Sequence, residues 1–221
     1  MPKRLAFIHT VTSLPATFKA LCAELIPEAD IFHIVDESLL QNTIRAGKLT
    51  QTTTRRLLGY LASAQEAGAE LAMVTCSSMG PAVDCSRSFI DIPIYRVDDA
   101  MAELAVRSGN RIGVAATLST TMTPTADLIR VKAAAIGKDI QLSSKLCAGA
   151  FEAVISGDTA RHDALVKEGL RELFAQSDVI VLAQASMARV VEGLPEEEKR
   201  IPILSSPRLA VEALARAYKG M

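Results

Sequence analysis

The segment MVTCSSM at residues 73–79 recurs in outline as VLAQASM at residues 181–187, 108 positions further along the chain. Other segments repeat in the same order at nearly the same distance. They are RLAFIHT at 4–10 with RIGVAAT at 111–117, Asp30-Ile31 with Asp139-Ile140, and IPIY at 92–95 with IPIL at 201–204. A period this long is typical of a duplicated unit and not of a solenoid. We therefore predict two similar halves.

Short apolar segments alternate with amphipathic helical patterns along the whole chain. LAMV at 71–74 and VIVL at 179–182 are continuous apolar runs, as expected of strands buried on both faces of a parallel sheet. Alternation of strand and helix favours right-handed βαβ units. The sequence thus predicts an α/β protein with a four-stranded parallel sheet in each half. The predicted strands are Arg4–His9, Ile31–Val35, Leu71–Thr75, Pro93–Tyr95, Arg111–Ala115, Ile140–Ser143, Val179–Leu182 and Pro202–Leu204.

The boundary between the halves carries no Pro-, Gly- or Ser-rich linker. The segment 98–110 has a helical pattern and is expected to connect them. A last amphipathic helix follows Pro207 and has no partner later in the chain, so we expect it to pack on the first half. The predicted domains are residues 1–97 with 207–221, and residues 98–206.

Composition excludes several classes of protein. The 221 residues carry a formal net charge of −1 and only 4% aromatic residues, so we expect no nucleic-acid partner and no binding to an anionic membrane. The start of the chain has too few apolar residues for a signal peptide, and no run approaches the roughly 20 that span a bilayer. We expect a cytoplasmic protein. No metal-binding spacing and no nucleotide-binding motif is present, so we expect neither a metal nor a cofactor.

Hydroxyl-bearing residues follow the predicted strands at the edge where open parallel sheets bind ligands. The first strands of the two halves lead to Thr10 and Thr117, and the third strands lead to the segments 75–78 and 183–186. Hydroxyls and the free N–H groups of the following helices suit a carboxylate or a phosphate. No Arg or Lys belongs to these four tips, so anion binding would rest on neutral donors. Helix capping is the alternative role for each hydroxyl. The predicted substrate-binding residues are His9, Thr10, Ser77, Ser78, Thr117 and Ser186.

Cys76 and Gln184 occupy equivalent positions in the repeat, and we predict both as catalytic residues. A thiol between a strand and a helix is expected to have a pKa below its usual ~8.5 and to act as a base or a nucleophile. An amide exchanges hydrogen bonds but no useful proton. The alternative for Cys76 is a merely buried hydrophobic residue. That reading is our expectation for Cys22, Cys85 and Cys147.

Four motifs together resemble the aspartate/glutamate/hydantoin racemase superfamily. They are VTCSSMG at 74–80, IPIYRVDDA at 92–100, RIGVAAT at 111–117 and VIVLAQASM at 179–187. The resemblance implies two Rossmann-like lobes related by a pseudo-two-fold axis, a cofactor-free active site in the cleft between them, and a homodimer. It also implies two catalytic cysteines on opposite faces of the substrate's α-carbon.

Residue by residue, Cys76 matches the first cysteine of that family, whereas Gln184 stands where the second is expected. Thr10, Ser77, Ser78 and Thr117 match positions that grip the substrate carboxylate in the family. Three hypotheses stay open. The first is a one-cysteine racemase or isomerase acting beside the carboxylate of an amino acid, hydroxy acid or dicarboxylic acid. The second is a decarboxylase or lyase of a malonate-like acid, and the third is a non-catalytic ligand-binding homologue.

Overall fold

The computed structural model describes residues 2–220, apart from the side chain of Glu192. The chain forms two compact units, one that runs to Val97 and resumes at Pro207, and one that comprises Asp98–Ser206. The strands are β1 (Arg4–His9), β2 (Asp30–Val35), β3 (Leu71–Val74), β4 (Ile94–Arg96), β5 (Arg111–Ala116), β6 (Gln141–Leu146), β7 (Val179–Leu182) and β8 (Ile203–Ser205). The α-helices are α1 (Leu14–Leu25), α2 (Glu37–Ala46), α3 (Gln51–Glu66), α4 (Gly80–Ser86), α5 (Asp99–Ser108), α6 (Ser119–Ala135), α7 (Ala150–Ile155), α8 (Thr159–Phe174), α9 (Ala188–Glu192) and α10 (Ser206–Gly220).

Both sheets are parallel and have the same strand order, β2-β1-β3-β4 in the first unit and β6-β5-β7-β8 in the second. The predicted α/β class with two similar four-stranded parallel sheets is therefore confirmed. Six-residue strands β1 and β5 lie at corresponding central positions, each paired with two neighbours. The sequence repeat reflects this shared topology.

The main difference from the predicted strands lies at β6. The predicted segment Ile140–Ser143 covers only the start of the strand, which continues to Leu146. β6 is an edge strand whose residues QLSSKL are mostly polar and only partly buried. An edge strand is covered less than a central one, so its apolar pattern is too weak to mark its end.

The first sheet is buried on both faces. Side chains alternate between the two faces along a strand, so Ala6 and Ile8 pack with Ala72 and Val74 on the face covered by α3. The opposite face carries Leu5, Phe7, Leu71 and Met73 and is covered by α1 and α10. This alternation decides which side chains lie together at the carboxyl ends of β1 and β3.

Helix α10 belongs to the first unit although it follows the second along the chain. Val211 and Leu214 are fully buried against the first sheet. Arg208 forms a bidentate ion pair with Glu24 of α1, with N–O distances of 2.9 and 2.7 Å. Among residues 2–220, every helix is too short or too polar to cross a membrane.

Candidate functional site

Cys76 lies at the carboxyl end of β3, on the tight turn that leads into α4. Thr75 N–H still donates to Ile8 O at 3.0 Å, and Cys76 has an extended backbone with φ −127° and ψ 114°. A single 3₁₀ turn, Ser77–Met79, follows before α4 begins, and Met79 N–H donates to Cys76 O at 3.0 Å. The turn directs backbone N–H groups toward the thiol.

Burial raises the pKa of the Cys76 thiol above its ordinary value. The expectation of a lowered pKa is therefore wrong. The hydroxyls of Thr10 and Ser78 and the N–H groups of Ser78 and Met79 act in the lowering direction, because each can donate to a thiolate. Together these hydrogen bonds lower the pKa by less than desolvation of the charged sulfur raises it. Cys76 is thus a protonated thiol at rest that is surrounded by donors suited to its thiolate.

Thr10 is 2% exposed, and its Oγ1 forms no conventional hydrogen bond with another described residue. Helix α1 has Ser13 at its N-cap position, so Thr10 is not the cap of that helix. The Thr10 hydroxyl instead lowers the pKa of Cys76 as a donor to the sulfur. A buried hydroxyl without a fixed partner is available either to the thiolate or to a bound ligand.

His9 is fully buried, and both of its ring nitrogens are already engaged. Nδ1 lies 2.8 Å from Thr75 Oγ1, and Nε2 lies 2.8 Å from His33 Nδ1. Burial, and secondarily the neighbouring His33, lowers the pKa of His9 to about 3, so the ring is neutral at ordinary pH. This geometry favours a positioning role for His9 over the predicted contact with substrate.

Charged groups also lie at this edge of the first sheet, and they are paired. Asp36, which follows β2, accepts hydrogen bonds from Ser38, Arg56 and Tyr60. Arg96 ends β4, is 5% exposed, and donates to Asp84 at 2.6 Å. Arg96 is not among the predicted site residues, which follow only the first and third strands of each half. The signal for Arg96 was its place directly after the predicted strand Pro93–Tyr95.

Gln184 follows β7 as Cys76 follows β3, with a comparable extended backbone of φ −128° and ψ 143°. Thr117 N–H donates to Gln184 Oε1 at 2.9 Å. A backbone N–H can only donate, so this bond fixes which end of the amide is oxygen. Gln184 Nε2 is buried without a hydrogen-bond partner among the described residues. The amide therefore presents unused N–H donors.

The threonine hydroxyls on either side of the start of α6 share this property. Thr117 Oγ1 and Thr120 Oγ1 are buried without a partner in the described part of the chain, and α6 begins just after Leu118, whose side chain cannot cap it. Each unsatisfied buried polar group costs roughly 1–3 kcal/mol. Gln184, Thr117 and Thr120 are here named the second-unit donor group, because each has a buried polar side-chain atom without a partner among the described residues. Thr120 is not among the predicted site residues, although the hydroxyl-rich run TLSTT at 117–121 contains it.

The remaining predicted residues differ in exposure. Ser77 and Ser78 are buried in the turn after Cys76, whereas Ser186 is exposed in the corresponding turn of the second unit. Burial raises the pKa values of Cys22 and Cys147 to about 11, and both are buried as expected. Cys85 is exposed, contrary to the expectation. Residues 2–220 contain no cluster of three or more His, Cys, Asp or Glu arranged to hold a metal ion.

Solved racemase structures have a similar fold. A glutamate racemase from Bacillus anthracis has a TM-score of 0.78 and 15% identity, with 99% of this chain and 82% of that chain covered. An aspartate racemase from Picrophilus torridus has a TM-score of 0.72 and 13% identity, with 98% of this chain and 94% of that chain covered. An allantoin racemase from Klebsiella pneumoniae has a TM-score of 0.67 and 18% identity, with 99% of this chain and 88% of that chain covered. No curated protein matches the sequence significantly.

At these identities the likeness to solved structures concerns the fold. Membership of a family rests on the sequence itself. The family model described as Asp/Glu/Hydantoin racemase matches residues 9–214, a span that includes both Cys76 and Gln184. The chain therefore belongs to the Asp/Glu/Hydantoin racemase family.

Proposed function

We propose that this protein is a cofactor-independent racemase or isomerase that acts at the carbon next to the carboxylate of a small acid, with Cys76 transferring the proton. The observation that carries the proposal is the surroundings of Cys76. The thiol is protonated at rest, yet the hydroxyl of Thr10 and the N–H groups of Ser78 and Met79 can all donate hydrogen bonds to its thiolate. A residue that must exchange a proton in both directions needs an environment that tolerates both forms.

The proposed reaction begins with removal of the α-proton. The thiolate form of Cys76, whose own proton has passed to water, takes the α-proton as the C–H bond breaks and its electron pair moves into an enediolate on the carboxylate. Neutral donors aimed at the carboxylate oxygens stabilise the charge that develops there. Each unit contains such donors, Thr10 and Ser78 in the first and the second-unit donor group in the second.

Gln184 gives the proposed reaction its asymmetry. Family resemblance places a second cysteine at this position, and an amide cannot replace it as an acid. Gln184 is held by the N–H of Thr117 and would serve as a hydrogen-bond donor through Nε2. A proton reaching the α-carbon on the face away from Cys76 must then come from water. We therefore expect α-proton exchange to be faster than inversion of configuration.

The raised pKa of Cys76 favours decarboxylation of a malonate-like acid as the second candidate. In that reaction the C–C bond breaks, carbon dioxide leaves, and the electron pair remains as an enediolate. The Cys76 S–H then donates its proton to the carbon, and the thiolate recovers a proton from water. A single thiol suffices for this sequence, and desolvation of the departing carboxylate would assist it.

Turnover of a panel of small acids tests the proposal. Enantiopure aspartate, glutamate, hydantoins and hydroxy acids are followed by polarimetry, and substituted malonates by release of carbon dioxide. We expect Cys76→Ala to abolish turnover and Cys85→Ala, which alters an exposed cysteine, to leave it unchanged. Inversion that persists in Cys76→Ala would refute the proposed role. Binding of an acid without any turnover would support the ligand-binding alternative instead.

The remaining expectations are proposals as well. The substrate-binding roles of Ser77 and Ser186, the cytoplasmic location and the homodimer stay predictions. Sedimentation equilibrium of the purified chain would measure the oligomeric state directly.

A further inference from the structure

A chain of hydrogen bonds runs behind Cys76 through three side chains. Thr75 Oγ1 lies 3.2 Å from Ile8 O, to which it donates, and 2.8 Å from His9 Nδ1. His9 Nε2 lies 2.8 Å from His33 Nδ1. The series starts on the edge strand β2, crosses the central strand β1 and ends on the residue directly before Cys76. We name it the His33–His9–Thr75 chain.

The direction of these hydrogen bonds follows from the single proton of the Thr75 hydroxyl. That proton goes to Ile8 O, so Thr75 Oγ1 accepts from His9 Nδ1–H. His9 Nε2 is then a lone pair and accepts from His33 Nδ1–H. His33 Nε2, which is buried and has no partner within the described residues, is left as a lone pair. The opposite direction would bury an N–H there without an acceptor, which is the more costly arrangement.

The His33–His9–Thr75 chain lies on the face of the sheet opposite to the thiol. Cys76 packs with the cluster that contains Ile8 and Val74. His9 stacks on Phe7, at 6.2 Å between ring centroids, and Phe7 belongs to the cluster on the other face. The histidines are therefore not placed to contact a molecule at the Cys76 sulfur. They can act on Cys76 only through the backbone.

We propose that His9 and His33 are positioning residues that act through Thr75 to hold the Cys76 thiol in register with its donors. Thr75 is 6% exposed and its hydroxyl is fixed from two sides, so the peptide that joins it to Cys76 has little freedom. Loss of any bond in the His33–His9–Thr75 chain frees this peptide and misaligns the sulfur with Thr10 and Ser78. The consequence for catalysis rests on the function proposed above, whereas the consequence for the thiol itself does not.

Matched substitutions separate this role from mere packing. Thr75→Val keeps the shape of the side chain and removes its oxygen, whereas Thr75→Ser keeps the oxygen. His33→Leu removes the Nδ1–H donor, whereas His33→Asn retains an N–H at a similar position. The readout is the pH dependence of Cys76 alkylation by iodoacetamide, measured by mass spectrometry with the exposed Cys85 as the internal reference.

We expect Thr75→Val and His33→Leu to raise the pH midpoint of Cys76 alkylation by about one unit, which is a tenfold loss of thiolate at a given pH. Thr75→Ser and His33→Asn should keep the wild-type midpoint. Unchanged midpoints in Thr75→Val and His33→Leu, or equal shifts in all four variants, would overturn the proposal. Where turnover is found, kcat should fall about tenfold to a hundredfold in Thr75→Val with little change in KM.

A measurement on the wild-type protein covers the case in which a variant does not fold. ¹⁵N NMR of histidine-labelled protein reports which ring nitrogen carries the proton. The proposal requires the Nδ1–H tautomer for both His9 and His33, and an Nε2–H tautomer at His9 would contradict it. The alkylation result also stands apart from catalysis. If Cys76→Ala kept full turnover, the proposed function would fail, but alkylation of Cys76 in the Thr75 and His33 variants would still test the His33–His9–Thr75 chain.

Discussion

At the scale of single residues, the protonation state of Cys76 separates the two candidate reactions. Burial raises the pKa of this thiol, so its thiolate is the minor form at neutral pH and increases as the pH rises. A reaction that uses the thiolate as base should therefore accelerate by up to about tenfold per pH unit between pH 6.5 and 8.5. A reaction that uses the thiol as acid should be nearly flat over the same range. The pH profile of kcat/KM distinguishes them, and a decline with rising pH would contradict both.

The buried His9 makes the protein sensitive to mild acid. Its pKa of about 3 in the folded protein lies below the ordinary 6.5, so between these values the unfolded chain binds a proton that the folded chain does not. Stability is therefore expected to fall as the pH falls, with a contribution of up to about 1.4 kcal/mol per pH unit from this group. His9→Phe keeps an aromatic ring against Phe7 and Phe18 and removes the titration.

Urea unfolding between pH 6.5 and 5, above the range where carboxylates titrate, measures this effect. The slope of unfolding free energy against pH should be smaller in His9→Phe than in the wild type by about 1 kcal/mol per pH unit. The comparison of slopes is independent of the loss of absolute stability that the variant also suffers. Equal slopes would contradict this expectation, because they would mean that His9 binds its proton equally in the folded and the unfolded chain.

At the scale of structural elements, the turn after β3 depends on the lack of a side chain at Gly80. A Cβ at this position would overlap the guanidinium of Arg96, which is paired with Asp84 and would have to shift. Gly80→Ala is expected to destabilise the protein by about 1–3 kcal/mol through this overlap. Gly59→Ala, in the interior of α3, adds a Cβ that meets no described atom within 4 Å beyond its neighbours in the helix, and it should stabilise the protein by about 0.5–1 kcal/mol.

Chemical denaturation of the two glycine variants checks the pair. Both substitutions add one methyl group at a helical position, so the decisive result is that their changes in unfolding free energy have opposite signs. A neutral or stabilising Gly80→Ala would mean that the buried Arg96 adjusts without loss of its ion pair.

Elements differed in how well the sequence predicted them. β1 and β7 match the predictions at both ends because they are central strands with continuous apolar runs. The predicted segment for β6 ended three residues too early, because the edge position of this strand allows polar residues within it. The position of Cys76 followed from the strand pattern, but its pKa did not, because burial is set by tertiary packing. The contact of His9 with His33 depends on the parallel register of β1 and β2, which no local pattern contains.

At the scale of the whole molecule, each unit has its own core, and the first is completed by the end of the chain. Leu214 of α10 is fully buried against the first sheet, and Leu170 of α8 is fully buried in the second unit. Leu214→Ala and Leu170→Ala should each cost about 2–5 kcal/mol. Because Leu214 packs in the core of the first unit and Leu170 in the core of the second, we expect the loss of protection to be confined to one unit in each variant.

Hydrogen exchange followed by mass spectrometry tests this expectation. Leu214→Ala should increase exchange in β1 and β3 and leave β5 and β7 unchanged, although the substitution lies at the far end of the chain. Leu170→Ala should show the reverse pattern. Increased exchange in both sheets of either variant would mean that the units unfold together.

Exchange of the substrate α-proton in D₂O tests the central claim, that Cys76 transfers a proton at the carbon beside a carboxylate. ¹H NMR of an enantiopure acid that binds the protein gives the rate of exchange, and polarimetry of the same sample gives the rate of inversion. The account predicts exchange faster than inversion in the wild type and in Cys85→Ala, and loss of both in Cys76→Ala. Exchange in Cys76→Ala at the wild-type rate would contradict it.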